Sequence, residues 1–146
     1  MYRHILIPTD GSKLAEHGVA HGLALAKSLG ARISVIFVVD SFSEMTGRFQ
    51  EAVAKYAELR KEQATSALDH AASAAKEAGV SCETIQVEHG QPHQAIIATA
   101  EDKGCDLIVM SSHGRSGLSM LLIGSVTNKV LTHAKIPVLV YQHASS

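Results

Sequence analysis

The chain has 146 residues, of which 46% are hydrophobic and 18% are charged, and its formal net charge at neutral pH is −1. This length and balance predict one globular domain, residues 1–146, and exclude an intrinsically disordered chain. Basic and acidic residues are interspersed, which indicates no nucleic-acid partner, and no apolar run approaches the roughly 20 residues that span a bilayer.

The first half of the chain predicts two buried strands, each followed by a helix. The apolar run Arg3–Pro8 favours a strand that ends at the proline. Helical spacing then continues over Lys13–Leu29, and the β-branched run Ile33–Val39 is typical of a buried central strand. Asp40–Gln50 has no clean period and predicts a mobile loop, whereas Glu51–Ala78 is rich in strong helix formers.

The second half predicts three more strands and two more helices. Alternation over Cys82–Glu88 favours an edge strand, and Pro92 suits the first turn of a helix that ends near Lys103. The continuous apolar run Leu107–Met110 indicates a buried parallel strand. A helical pattern begins after Ser125, and Val138–Tyr141 forms the last predicted strand.

This alternation of strands and helices predicts an α/β fold, an open five-stranded parallel sheet with helices on both faces. Ligands bind such sheets beyond the carboxyl ends of the strands. Three segments follow strands and therefore meet at that edge, namely Pro8–Ser12, Val38–Ser41 and Met110–Ser125.

The third of these segments has the pattern of a phosphate site. The strand stops at Ser111-Ser112-His113-Gly114, and Gly124-Ser125 opens a helix after a nine-residue insert. Amides at a helix N-terminus lack internal partners, and the helix dipole favours an anion there. No GxxxxGK[ST] or GxGxxG pattern is present, which argues against a P-loop and against a dinucleotide site.

The same segment resembles a known family. Its pattern is similar to the G-x-x-G-(nine residues)-G-[ST] motif of nucleotide-binding universal stress proteins, with Ser111 where the family has glycine. Pro8-Thr9-Asp10-Gly11-Ser12 resembles the family's P-x-D-x-S opening. Phe37–Asp40 resembles the end of its second strand, and Ile136–Val140 its last strand, so the match covers nearly the whole chain in order.

The resemblance implies a Rossmann-like domain of the adenine nucleotide alpha hydrolase-like type that binds ATP (or AMP or ADP), with Mg²⁺ or Mn²⁺ held through the phosphates. Asp10 would contact the ribose hydroxyls or a metal-bound phosphate, the backbone at Val38 would meet adenine, and Gly114 and Gly124 would let the backbone approach the phosphates. It also implies a regulatory stress role with little turnover, and a homodimer formed through the last strand. The nucleotide-contacting residues would be Pro8, Thr9, Asp10, Val38, Met110, Ser111, His113, Gly114, Arg115, Gly124, Ser125, Val126 and Thr127.

Several alternatives remain open at this stage. A slow nucleotide hydrolase or transferase would use His113 or Asp10, although His113 could also be a solvated loop residue. Ser111 favours a non-binding structural dimer of the same family, and a flavodoxin-like electron carrier is a further possibility. His17 and His21 have a metal-like spacing on the first helix but no third ligand in view. Arg115 could pair with phosphate or face water.

The cysteine content and the N-terminus bear on the compartment. Cys82 and Cys105 form no CxxC pair, so nothing requires an oxidising environment. The apolar stretch in MYRHILIPTDG is too short for a secretory signal. We therefore expect a cytoplasmic protein.

Overall fold

The computed structural model describes residues 1–41, 49–113 and 123–142. Most of the predicted loop Asp40–Gln50 lies outside these ranges, as do the predicted site residues Gly114 and Arg115.

Strands and helices alternate throughout the described ranges, as the sequence predicted. The strands are β1 (His4–Pro8), β2 (Arg32–Asp40), β3 (Cys82–His89), β4 (Leu107–Ser111) and β5 (Val138–Tyr141). The helices are α1 (Lys13–Leu29), α2 (Gln50–Ala78), α3 (Pro92–Lys103) and α4 (Ser125–His133). The predicted bounds agree with these to within one residue wherever both ends of an element were predicted.

The five strands form one parallel sheet in the order β3-β2-β1-β4-β5. The two outer strands are β3, whose alternating sequence predicted an edge, and β5. The strand order changes direction between β1 and β4. From β1 the sheet is first extended on one side by β2 and β3, and β4 and β5 are then added on the other side of β1. Such a switch point opens a crevice at the carboxyl ends of the strands.

Two hydrophobic cores cover the two faces of the sheet. On one face, α1 and α2 pack over side chains that include Ile7, Val35 and Phe37. On the other face, α3 and α4 contribute Ile96 and Val130, which pack against the second set of strand side chains. The expectation of helices on both faces is therefore confirmed.

Local capping explains where α1 begins and ends. The Ser12 hydroxyl accepts a hydrogen bond from the Ala15 amide at 3.2 Å, so Ser12 is the N-cap, and Gly30 ends the helix with a left-handed φ of 68°. Within the described residues, no helix combines the length and the apolar character that crossing a membrane requires.

Candidate functional site

A cavity of about 310 Å³ lies at the carboxyl ends of the strands. It receives residues from the ends of β1, β2 and β4 and from the first turns of α3 and α4. This position is the crevice that the strand order predicts for a ligand.

The turn between β1 and α1 forms one wall of the cavity. Thr9 is buried, and its amide donates to the Ile36 carbonyl at 2.9 Å, which ties the turn to β2. Asp10 Oδ1 accepts from the Ser12 amide at 3.0 Å, so the carboxylate shapes the turn while Ser12 caps the helix. Gly11 has a φ of 80°, a conformation that favours glycine. These bonds fix the position of Asp10 at the edge of the sheet.

The end of β4 forms the facing wall. The Ser111 hydroxyl donates to the His113 carbonyl at 2.8 Å, and the Ser111 carbonyl accepts from the Thr127 hydroxyl at 2.9 Å. Ser112 Oγ lies 3.2 Å from His113 Nδ1. His113 is only 4% exposed, and its Nε2 has no hydrogen-bond partner among the described residues. A buried ring nitrogen in this position can serve a ligand, since unpaired buried polar atoms are costly.

The N-terminus of α4 completes that wall. Gly124 is its N-cap, with a φ of −60° and a ψ of 157°, and its amide donates to the Ser112 carbonyl at 2.7 Å. The first amides of a helix have no partner within the helix, and a glycine cap has no side chain to satisfy them. Because Gly124, Ser125, Val126 and Thr127 all line the cavity, this helix end can receive an anion.

The remaining cavity wall is mostly apolar, and the sequence analysis identified Val38 in it but not its other residues. Ile36 and Val38 come from β2, and Pro92 and Ile96 come from α3. Apolar side chains of this kind suit the faces of a planar base. Ala15, Asp40 and Arg60 also line the cavity. Arg60 is 4% exposed, and its guanidinium carbon lies 4.8 Å from the centre of the Phe37 ring.

The opposite edge of the sheet has its own cluster of ionisable groups. Burial lowers the pKa of His4, whose Nε2 lies 2.7 Å from Ser34 Oγ. Burial opposes ionisation of Asp106, but hydrogen bonds from the Arg3 and His4 amides outweigh it and lower the pKa of that carboxyl. These bonds join the start of β1 to the start of β4, so we assign this cluster to stability.

The predicted site residues within the described ranges all line the one cavity. These are Pro8, Thr9, Asp10, Val38, Met110, Ser111, His113, Gly124, Ser125, Val126 and Thr127. Gly114 and Arg115 lie outside those ranges.

Three details differ from the sequence-based interpretation. The possibility that His113 is solvated is wrong, because the residue is buried. Ser111, predicted to contact the nucleotide, donates its hydroxyl to the His113 carbonyl, and no described residue other than glycine has a positive φ, so its backbone is not strained. Gly124 has an extended conformation open to any residue, so its value lies in the missing side chain.

Among the described residues, no group of three or more His, Cys, Asp or Glu side chains could hold a metal ion. His21 of α1 lies near the last strand, since the His21 and Tyr141 ring centres are 4.7 Å apart. The ring contact gives His21 a packing role on this helix.

Comparison with known proteins gives a consistent result. The sequence model of the universal stress protein family matches residues 1–142. Universal stress protein MJ0531 of Methanocaldococcus jannaschii is 39% identical over 141 residues, which cover 96% of this chain and 82% of that protein.

Solved structures agree with this match. The structure of MJ0577 from the same organism has a TM-score of 0.80 and 31% identity, and the alignment covers 100% of this chain and 99% of that one. A universal stress protein solved in complex with cAMP has a TM-score of 0.74 and 25% identity, with 99% of both chains covered.

Proposed function

The chain belongs to the universal stress protein family, and we propose that it binds an adenine nucleotide, ATP first, in the cavity at the carboxyl ends of the strands. The relative solved with cAMP supports a nucleotide of this class.

One observation carries the proposal. Buried His113, whose Nε2 has no hydrogen-bond partner among the described residues, and the glycine-capped N-terminus of α4 line the same cavity. A helix N-terminus offers backbone amides and a favourable dipole to a phosphate, and an imidazole N–H can donate a further hydrogen bond. The hydrogen bond from Gly124 to Ser112 joins these two elements. Phosphate oxygens would therefore satisfy groups that the fold leaves available.

The other walls of the cavity complement the rest of a nucleotide. Ile36, Val38 and Ile96 supply apolar surface for the adenine ring. The Asp10 carboxylate can accept hydrogen bonds from vicinal ribose hydroxyls, and its bond to the Ser12 amide orients it. The base, the sugar and the phosphates therefore each have a matching surface in one cavity.

A divalent ion, Mg²⁺ or Mn²⁺, would be held chiefly by the nucleotide's phosphates. The described residues contain no acidic or histidine cluster able to hold it alone, although the Asp10 and Asp40 carboxylates both line the cavity. The ion would neutralise phosphate charge when bound. We expect nucleotide affinity to rise when the ion is added and to fall when it is chelated.

The proposed role is regulatory binding under stress in the cytoplasm, with little turnover. The sequence has no P-loop lysine, and phosphoryl transfer depends mainly on positioned charges around the transferred group. We expect single-turnover cleavage of labelled ATP to be far slower than about 1 per second, the low end for ordinary enzymes. Turnover near that rate that disappears in His113→Ala, with ATP still bound, would establish a hydrolase instead.

Two measurements test the binding proposal. Mass spectrometry of small molecules released on denaturing the purified protein should detect an adenine nucleotide. In calorimetric titrations, Gly124→Val should lose most ATP affinity because a branched side chain enters space meant for phosphate. Gly90→Val is the matched control, since a side chain there meets no heavy atom within 4 Å among the described residues. Equal ATP affinity in folded Gly124→Val and wild type would show that phosphates bind elsewhere.

A further inference from the structure

A second cleft adjoins the nucleotide cavity. This α1–α2 cleft has a volume of about 550 Å³ and shares two lining residues with the cavity, Asp10 and Arg60. Its other polar lining residues come from the start of α1 and the middle of α2, and they are Ser12, Glu16, Gln63, Ser66 and His70. The sequence analysis did not predict this cleft, although Asp10, Gly11 and Ser12 of the first motif line it.

Arg60 is the cation that lines both spaces. Its side chain is buried, its guanidinium carbon lies 4.8 Å from the Phe37 ring centre, and Nη1 donates to Gln63 Oε1. Stacking on an aromatic ring fixes the plane of a guanidinium. A fixed guanidinium suits phosphate, because its five N–H donors form a planar fork that matches phosphate oxygens.

Asp10 connects the two spaces chemically. In the proposed nucleotide site its carboxylate accepts from a ribose hydroxyl, and Asp10 also lines the α1–α2 cleft. A substituent on a ribose oxygen held at Asp10 would therefore lie beside the cleft that Arg60 also lines. The base and the 5′-phosphate would keep their places in the first cavity.

We propose that the α1–α2 cleft takes a phosphate carried on the 2′ or 3′ oxygen of the ribose, so that the protein binds an adenosine bisphosphate more tightly than AMP. This inference rests on the proposed nucleotide function. Arg60 supplies the cation, and Gln63 and Ser66 supply neutral hydrogen-bond donors. A phosphate on one ribose oxygen leaves the other hydroxyl for Asp10.

Glu16 and Asp10 are the acidic residues that line the cleft, and Glu16 is the one without a part in the proposed nucleotide site. It lies in the first turn of α1, is exposed to solvent, and would repel a phosphate bound beside it. Because solvent screens this repulsion, Glu16 should weaken phosphate binding by only about a few-fold. Removing the charge of Arg60 should therefore weaken binding of the bisphosphate, and removing the charge of Glu16 should strengthen it.

The first test compares ligands on the wild-type protein by calorimetry. Adenosine 3′,5′-bisphosphate and adenosine 2′,5′-bisphosphate are titrated beside AMP. We expect one bisphosphate to bind at least about tenfold more tightly than AMP, which is the effect of one charge-assisted hydrogen bond. Glu16→Gln should raise that bisphosphate's affinity by about two- to fivefold. ADP, which carries its extra phosphate at the 5′ end, should show a smaller change.

The second test removes the cation. Arg60→Met should abolish the preference for the bisphosphate over AMP, and Arg60→Lys should retain part of it because a lysine keeps the charge without the fork. Lys61→Met is the matched control, since Lys61 is the neighbouring exposed cation on the same helix. If Arg60→Met does not fold, folded Glu16→Gln decides the question alone.

The outcomes separate the two proposals. If AMP binds and neither bisphosphate binds more tightly, or if Glu16→Gln leaves bisphosphate affinity unchanged, the cleft is not a phosphate site and the nucleotide function stands. If neither AMP nor ATP nor a bisphosphate binds, the nucleotide function is wrong and the inference fails with it.

Discussion

Replacing Ser111 tests how a nucleotide site tolerates serine where the family motif has glycine. Ser111 is the last residue of β4 and is 8% exposed, and its hydroxyl donates to the His113 carbonyl at 2.8 Å. Ser111→Ala removes this buried hydrogen bond and leaves the His113 carbonyl without its donor, which should lower the free energy of unfolding by about 1–3 kcal/mol. Ser111→Gly should cost about 0.5–1 kcal/mol more, because glycine weakens a strand.

Both substitutions of Ser111 should also weaken nucleotide binding. The Ser111 hydroxyl holds the backbone of His113, the residue whose Nε2 we expect to meet a phosphate. A loss of about 1 kcal/mol in this positioning corresponds to about a fivefold weaker ATP affinity in both variants. The melting temperature should fall by about 3 °C for each kcal/mol, given a chain of this size.

Calorimetry with ATP and a thermal melt measure the two effects. Ser28→Ala is the matched control, because its hydroxyl makes a similar bond to the Leu25 carbonyl at 2.9 Å, but on an exposed surface. That variant should change neither quantity appreciably. ATP binding that improves tenfold or more in Ser111→Gly would refute the reasoning, since it would mean that the hydroxyl obstructs the ligand.

Three further predictions concern the rest of the fold. Asp106→Asn should lower the free energy of unfolding at pH 7 by about 1 kcal/mol. The difference between the two proteins should shrink as the pH falls through the lowered pKa of Asp106, because protonation of the wild-type carboxylate removes its advantage. An equal difference at pH 3 would contradict this. Burial raises the pKa of the Cys105 thiol to about 11, so iodoacetamide at pH 8 should label it only after denaturation, and prompt labelling of the folded protein would count against its burial. The outer strand β5 should pair with β5 of a second copy, so light scattering should give the mass of a dimer. Leu139→Lys, at an exposed position of β5, should reduce that mass. A monomeric wild type at micromolar concentration would exclude this pairing.

Much of the fold was predictable from apolar patterns and from local signals at the ends of several elements. Ser12 and Gly30 mark the two ends of α1, and both caps form as their residue types suggest. The ends of the strands are set less locally, since β2 extends to Arg32 and Asp40 beyond its apolar run. Hydrogen bonding to neighbouring strands sets these ends, and those partners are distant in sequence.

Arg60, which the sequence analysis missed, and the burial of His113 show where local reasoning stops. Arg60 lies in a helix rich in charged residues, so its type suggested a solvated position. Its spacing was the better indicator of burial, because Arg60 lies on the same buried stripe of α2 as Ala64, Leu68, Ala71 and Ala75. The burial of His113 had no such signal. It depends on Ser112 and on the return of the chain to Gly124, and no local pattern encodes that contact.

The packing of α1 links the fold to the site, because this helix lies against both strands that flank the crevice. A Cβ atom at Gly22 would lie 2.6 Å from Ile7 Cδ1 and 3.4 Å from Val109 Cγ1, so the bare glycine lets the helix approach β1 and β4 together. One turn earlier, a Cβ at Gly18 would lie 3.4 Å from the Ser111 amide. Each glycine costs about 1 kcal/mol of helix stability relative to alanine. The two glycines lie where close contact sets the spacing between the β1 turn, which carries Asp10, and the β4 end, which carries His113. The packing of α1, whose Ala15 lines the cavity, therefore helps to set how wide the cavity is.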